Sequence, residues 1–319
     1  MGASVTVGQG IRVGVVGLGA FGRHHVRHYG MNPDARLVAV ADLDATRAAE
    51  HAAQSGAIAL SDHRDMIGKV DAVSVTAIST QHYAIARDLI DAGIHVFVEK
   101  PLAVDQAGAE DLAARAAARG VILQVGHIER FSPAVMALQE RVTDPRRISA
   151  VRTTPWHGRS SDVDVILDIM IHDIDIVLAL VDAPVASVAG DGASSVTDHV
   201  DEAEAWITFA NGAIATLSAS RCAEAASRRL TVTEPGFAYV ADLAGPSLAI
   251  ARRGRRGVAE VVALEPRDAL GAEIAAFLHS IASGEPPVVD GRAGAAALAI
   301  AERIQAAIAE GDVPARRSS

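Results

Sequence analysis

The sequence predicts an α/β protein in two parts. The first is a parallel sheet covered by helices on both faces, and the second is a mainly antiparallel sheet accompanied by long helices. Three observations predict this. Strand-like and helix-like stretches alternate from residue 11 to about residue 126. The strand-like stretches are apolar on both faces, as in sheets buried on both sides. After Gly126 the pattern changes to successive strands joined by short turns.

Taken in order, residues 11–16 are an apolar run followed by glycines, and 21–29 read as a helix. A second strand at 36–42 (RLVAVAD) leads to a helix at 45–54. Residues 71–77 read as a strand, 82–91 as a helix closed by Gly93, and 95–99 as another strand. An Ala-rich helix at 105–119 closes at Gly120, before a strand at 121–125. Farther on, 148–156 alternates like a strand, and 163–181 is a long apolar helix. Strands at 202–209 and 213–221 flank Asn211-Gly212, a dipeptide that favours a tight hairpin turn. Strands at 229–234, 238–242, 248–251 and 259–264 follow, and helices at 269–283 and 294–310 close the chain. The expected division is 1–126 and 127–319, with residues 1–10 disordered.

Composition narrows the function classes. Of 319 residues, 50% are hydrophobic and 21% charged, enough apolar material for a large core. Aromatics are only 3%, so Ala, Val, Ile and Leu must build it. The one cysteine, Cys222, excludes a disulfide within the chain and a Cys-based zinc site. A net charge of −10 with no long basic block argues against nucleic-acid binding. No apolar run is long enough to span a membrane. The first ten residues lack the charge and apolar pattern of a secretory signal. They match the permissive myristoylation pattern through Thr6, which recurs by chance. A cytoplasmic protein is expected.

Gly17-Leu18-Gly19-Ala20-Phe21-Gly22 has the form G-x-G-x-x-G, between an expected strand and an expected helix. The first glycine permits a tight turn, the second lets the backbone approach a pyrophosphate, and the third lets helix and strand pack closely. The helix N-terminus supplies N–H groups for the phosphate charge. Asp42 ends the second strand, where a carboxylate accepts the adenosine ribose hydroxyls and repels a 2′-phosphate. Neither of the next two residues, Leu43 and Asp44, is basic, which favours NAD over NADP. The N-terminal part therefore reads as a Rossmann dinucleotide-binding domain.

Glu99-Lys100-Pro101 ends a strand of the parallel sheet, and ligands of such sheets sit at the carboxyl ends of strands. The chain has only two lysines, Lys69 and Lys100, among its 29 basic residues. A lysine kept where arginine is the habit suggests a need for a compact ammonium. Asp168, His172 and Asp175 fall at i, i+4 and i+7 on an otherwise apolar helix, which places them on one face. Such a line reads either as a cleft-facing catalytic set or as a buried polar cluster. His24 and His28, also four apart, have no acidic or Cys partner nearby in sequence and read as helix-surface residues.

The G-x-G-x-x-G turn, Glu99-Lys100-Pro101, the segment Gly126-His127-Ile128-Glu129-Arg130-Phe131-Ser132-Pro133 and Asp168-x-x-x-His172 together resemble the Gfo/Idh/MocA oxidoreductases. The resemblance runs over nearly the whole chain, to Pro287-x-x-Asp290-Gly291. It implies a Rossmann domain followed by a domain with an open, largely antiparallel sheet. It also implies NAD(P)-dependent chemistry on sugars, cyclitols or sugar nucleotides, and assembly as a homodimer or homotetramer. The catalytic residues it implies are Lys100, Asp168 and His172. The cofactor, read as NAD, would meet Gly17, Gly19, Ala20, Phe21, Gly22, Asp42, Ser79, His82, Glu99 and Lys100. No metal is expected. The chain departs from many members by having Ala77-Ile78 in place of Thr-Pro, and Met170 in place of Gly. Residues 158–175 and 127–133 are most similar to the UDP-N-acetylglucosamine 3-dehydrogenase subgroup. That implies oxidation of a sugar-nucleotide ring hydroxyl, with a free sugar or inositol as the alternative substrate. A non-catalytic dinucleotide-binding regulator is a further alternative. In the enzymatic reading His172 accepts the hydroxyl proton, since an ordinary imidazole titrates near ~6.5. Lys100 stabilises the developing oxyanion, and Asp168 orients the pair. Arg130 and Arg159 are the arginines expected at the substrate diphosphate, with Lys100, Asp168 and His172 completing the substrate contacts.

Overall fold

The computed structural model describes residues 10–158, 163–252, 254 and 259–311. The expected N-terminal disorder falls, except for Gly10, outside the described residues, and so does Arg159. In chain order the first strands are β1 (Ile11–Val16), β2 (Ala35–Ala41), β3 (Ile58–Leu60), β4 (Ala72–Val75), β5 (His95–Glu99) and β6 (Leu123–Gly126). The later ones are β7 (Arg147–Thr153), β8 (Val185–Ala193), β9 (Glu202–Phe209), β10 (Ile214–Ser220), β11 (Ser227–Thr233), β12 (Phe237–Asp242), β13 (Ser247–Arg252) and β14 (Glu260–Val262). The helices are α1 (Gly22–Met31), α2 (Ala45–Ser55), α3 (Ser79–Asp91), α4 (Gln106–Arg119), α5 (Pro133–Gln139), α6 (Ile171–Leu180), α7 (Ala269–Ser283) and α8 (Gly291–Glu310). Among the described residues, no helix is long and apolar enough to cross a membrane.

The first unit takes the residues up to 128 together with Asp268–Ala296. Its six strands are all parallel, in the order β3-β2-β1-β4-β5-β6. Strand order reverses between β1 and β4, and a ligand crevice opens at such a point beyond the carboxyl ends. Val13, Val15, Val73, Val75, Val96 and Val98 are fully buried, which accounts for the unbroken apolar runs. Asp44 caps α2 by accepting the Thr46 and Arg47 N–H groups, and Asp105 caps α4 by accepting that of Gly108.

The sequence reading placed 268–296 with the second domain, whereas the structure counts it with the first. The cause is packing. Ile274, Phe277, Leu278 and Ile281 of α7 are buried in the first unit's core. Phe277 meets Phe97 edge-on at 5.8 Å between ring centroids. The Val125 N–H donates to the Val289 carbonyl at 3.0 Å. Nothing local in the sequence marks which core an apolar helix enters.

The second unit takes Glu129–Arg267 and the residues from Ala297 on. Its eight-stranded sheet runs β14-β13-β12-β11-β7-β10-β9-β8. Every pairing is antiparallel except β10 with β7. Asn211-Gly212 closes the β9–β10 hairpin as expected, with Gly212 at φ +82°. Alternation along β7, β9 and β10 buries one face against α5, α6 and the second half of α8. The other face is open, with Val151, Val240 and Val261 exposed. Strands β3 and β8 and helix α5 were not expected. In β8, Gly190 and Gly192 obscure the strand signal, and they leave room for Ile308 of α8.

Candidate functional site

In the first unit, β1 runs into a turn that only glycine fits. Gly17 has φ +87°, and a Cβ there would stand 2.5 Å from the Ala77 nitrogen. A Cβ on Gly22 would collide with the Gly17 carbonyl oxygen, so helix α1 can start this close to β1 only with glycine there. At Gly19 a Cβ would meet nothing within 4 Å, and Gly19, Ala20 and Phe21 are exposed. The turn is packed from below and open above, as a backbone cradle for a pyrophosphate requires.

Asp42 is tied to this turn. Its Oδ2 accepts the Leu18 N–H at 2.7 Å, and its Oδ1 accepts the Asp44 N–H at 2.9 Å. Burial raises the carboxyl pKa, but these two N–H groups and the Arg47 guanidinium outweigh it and hold Asp42 below its ordinary value. Arg47 was not foreseen, because it lies five residues on, in the first turn of α2.

At the end of β5, Glu99 and Lys100 are half-buried, and a cis peptide bond joins Lys100 to Pro101. Two buried histidines hold this turn from behind. His82 is 2% exposed, with Nδ1 2.7 Å from the Pro101 carbonyl oxygen and Nε2 2.9 Å from that of Ala77. It therefore braces the Lys100 turn against the segment after β4. His25 places Nε2 2.9 Å from Glu99 Oε1 and Nδ1 3.1 Å from Ser74 Oγ. Ser74 Oγ is 2.7 Å from the Tyr29 hydroxyl, whose pKa burial pushes up. This chain of polar contacts ends on the residue before Lys100. Ser79 stands half-buried as the first residue of α3.

In the second unit, the expected helix at 163–181 is not uniform. A π-helical turn, Ile166–Met170, precedes α6, and the Ile171 N–H bonds to the carbonyl of Ile166. Asp164 caps its start, accepting the Leu167 N–H at 2.9 Å and the Gln305 amide at 2.7 Å. Single π turns recur at functional sites because they re-aim the side chains they carry. Asp168 lies in this turn and His172 one turn on, both half-buried.

Asp175 parts company with them. It is 1% exposed and receives Arg130 in a two-point fork, Nε to Oδ2 at 2.6 Å and Nη2 to Oδ1 at 3.0 Å. A second fork joins Arg152 of β7 to Asp173, at 3.0 and 2.8 Å, and Arg152 also reaches Glu129 at 2.6 Å. These buried pairs grip α6 directly beyond His172. The structure thus commits the Arg130 guanidinium to a helix-bracing ion pair. Sequence distance hid this, since the partners are 45 residues apart.

Asp201 forms another built node. It accepts the N–H groups of Ser195, Val196 and Thr197 and the Nε–H of Arg221 at 2.7 Å. Arg221 also donates to the Val163 carbonyl and lies 5.1 Å over the Trp156 ring, so it ties Trp156 and Val163 to the same node. Among the described residues, no group of three or more His, Cys, Asp or Glu is arranged to hold a metal ion.

The chain is similar to known proteins. Residues 11–127 match the model of an oxidoreductase family with an NAD-binding Rossmann fold, and residues 134–233 match a GFO/IDH/MocA C-terminal domain. The chain is similar to UDP-N-acetylglucosamine 3-dehydrogenase of Acidithiobacillus ferrooxidans, with 38% identity over 306 residues, 93% of this chain and 97% of that one. A solved structure of that enzyme matches with a TM-score of 0.89 over 94% of this chain and 98% of the other. Myo-inositol 2-dehydrogenase of Thermotoga maritima is 29% identical over 311 residues, 90% of this chain and 93% of that one.

Proposed function

The chain belongs to the GFO/IDH/MocA oxidoreductase family, and on that premise we propose that it is an NAD-dependent dehydrogenase that oxidises C3 of UDP-N-acetylglucosamine to the 3-keto sugar. The observation that carries this reading is the 38% identity with the Acidithiobacillus enzyme over nearly all of both chains.

NAD⁺, when bound, supplies the hydride acceptor. The turn at 17–22 would hold its diphosphate, and Asp42 its adenosine ribose. On the sugar, His172 takes the proton from the hydroxyl oxygen. The hydrogen on the same carbon departs with its electron pair, leaving a ketone. Lys100 donates a hydrogen bond to the oxygen as negative charge develops there. Asp168, in the π turn, orients the proton-carrying groups. Glu99, His25 and His82 hold the Lys100 turn in place. Asp173 and Asp175, through their arginines, hold the helix that bears His172.

The similarity to myo-inositol 2-dehydrogenase favours a second reading, in which the alcohol belongs to an inositol. NADH formation from UDP-N-acetylglucosamine, compared with free N-acetylglucosamine and myo-inositol, tests the two against each other. We propose further that copies pair through the open face of the second sheet, giving a homodimer or homotetramer, which light scattering measures directly.

A further inference from the structure

Asp42 and Arg47 form an asymmetric pair. The Asp42 side chain is 9% exposed and pinned by two backbone N–H groups. The Arg47 side chain is 44% exposed. One of its nitrogens, Nη1, serves both Asp42 oxygens, at 3.3 and 3.2 Å. Its Nη2 stands 3.3 Å from Asp44 Oδ2. These contacts are longer than the two-point forks of Arg130 and Arg152, and they lie at the surface. The carboxylate is fixed, whereas the guanidinium is loosely held and can turn its planar face of donors elsewhere.

The rim of the ribose site therefore carries a buried carboxylate, a surface carboxylate and one guanidinium against both. An adenosine ribose with both hydroxyls uses Asp42 as acceptor. A ribose 2′-phosphate meets the same carboxylate with like charge, but it also meets the cation that best matches phosphate geometry. We propose that Arg47 is a specificity-determining residue of the nucleotide site: it offsets Asp42 and receives a 2′-phosphate, so that NADP(H) is admitted as a weaker second cofactor. Asp42 and Asp44 together keep NAD(H) the preferred one. The proposal rests on the dinucleotide reading above and is independent of the sugar.

Fluorescence titration of NADH and NADPH into the full-length protein and its Arg47→Ala variant tests it with no sugar present. The unmutated protein should bind both nucleotides, NADH more tightly. In Arg47→Ala the ratio of NADPH to NADH dissociation constants should rise about tenfold or more, the effect of losing one charge-assisted hydrogen bond. Asp42→Asn should move the ratio the opposite way, and adding Arg47→Ala to it should remove that gain. A ratio in Arg47→Ala within about twofold of the unmutated value would overturn the proposal while leaving the dinucleotide reading intact. Failure of the unmutated protein to bind either nucleotide would overturn both.

Discussion

Arg130 and Asp175 meet through two parallel hydrogen bonds, at 2.6 and 3.0 Å, with side chains 10% and 2% exposed. The segment after β6 is thereby bolted to the helix that carries His172. The neighbouring fork of Arg152 on Asp173 does the same from β7. Burial works against the Arg152 charge, and Asp173 and Glu129 outweigh it, so the guanidinium pKa stands above its ordinary value. This part of the chain spends its buried charges on placing a helix.

Arg130→Ala should accordingly act on stability. It leaves Asp175 buried and unpaired, a loss of about 3–5 kcal/mol, and the melting midpoint should fall by roughly 5–10 °C. Turnover should drop in similar proportion for a UDP-sugar and for the free sugar. Melting curves and paired assays decide the matter. A tenfold rise in KM confined to the UDP-sugar, with unchanged melting, would return Arg130 to the substrate diphosphate.

Lys100→Ala and His172→Ala should each lower kcat by ~10²-fold or more while NADH still binds. Lys100→Arg should not rescue, since a planar guanidinium cannot take the place of a compact ammonium in that turn. Steady-state kinetics beside NADH titration separate the two effects. Near-normal turnover by either Ala variant would remove that residue from the mechanism.

The Asp201 node should show in the acid limb of stability. Burial raises the Asp201 carboxyl pKa, but three backbone N–H groups and Arg221 outweigh it and hold it far below the ordinary range. A depressed carboxyl contributes stability that is complete above its unfolded pKa of ~3.9 and is lost as pH falls toward the folded value. Asp201→Asn should therefore be less stable than the parent near pH 7, and the gap should narrow below about pH 4. Urea unfolding across that range measures it. A gap independent of pH would assign the stability to packing instead.

The features legible in the sequence were those whose chemistry is local. The glycine turn, Asp42 at the end of β2, Glu99-Lys100-Pro101 at the end of β5 and the Asn211-Gly212 hairpin each state their geometry within a few residues. What escaped depended on distance or on a change of helical pitch. Arg47 comes beside Asp42 only because the chain turns at Leu43 and caps α2 with Asp44. Arg130 and Asp175 are brought together by tertiary packing alone. The uniform apolar pattern of 163–181 hid the π turn, since Ile, Leu and Met suit either pitch. Helix α7 looked like any apolar helix until Phe97 supplied its partner. His25 gives no local sign of its burial, and His82, expected at the cofactor, has both ring nitrogens against backbone carbonyl oxygens; both are buried behind the Lys100 turn.

The most direct test of the central claim is a side-by-side assay of NADH formation with UDP-N-acetylglucosamine, free N-acetylglucosamine, myo-inositol and free hexoses, at equal enzyme and NAD⁺. The account predicts that kcat/KM for UDP-N-acetylglucosamine exceeds that for every other substrate by about tenfold or more, the effect of at least one charge-assisted contact to the diphosphate. It also predicts that the product is a 3-keto sugar. Turnover of myo-inositol or a free hexose well above that of the UDP-sugar would contradict it.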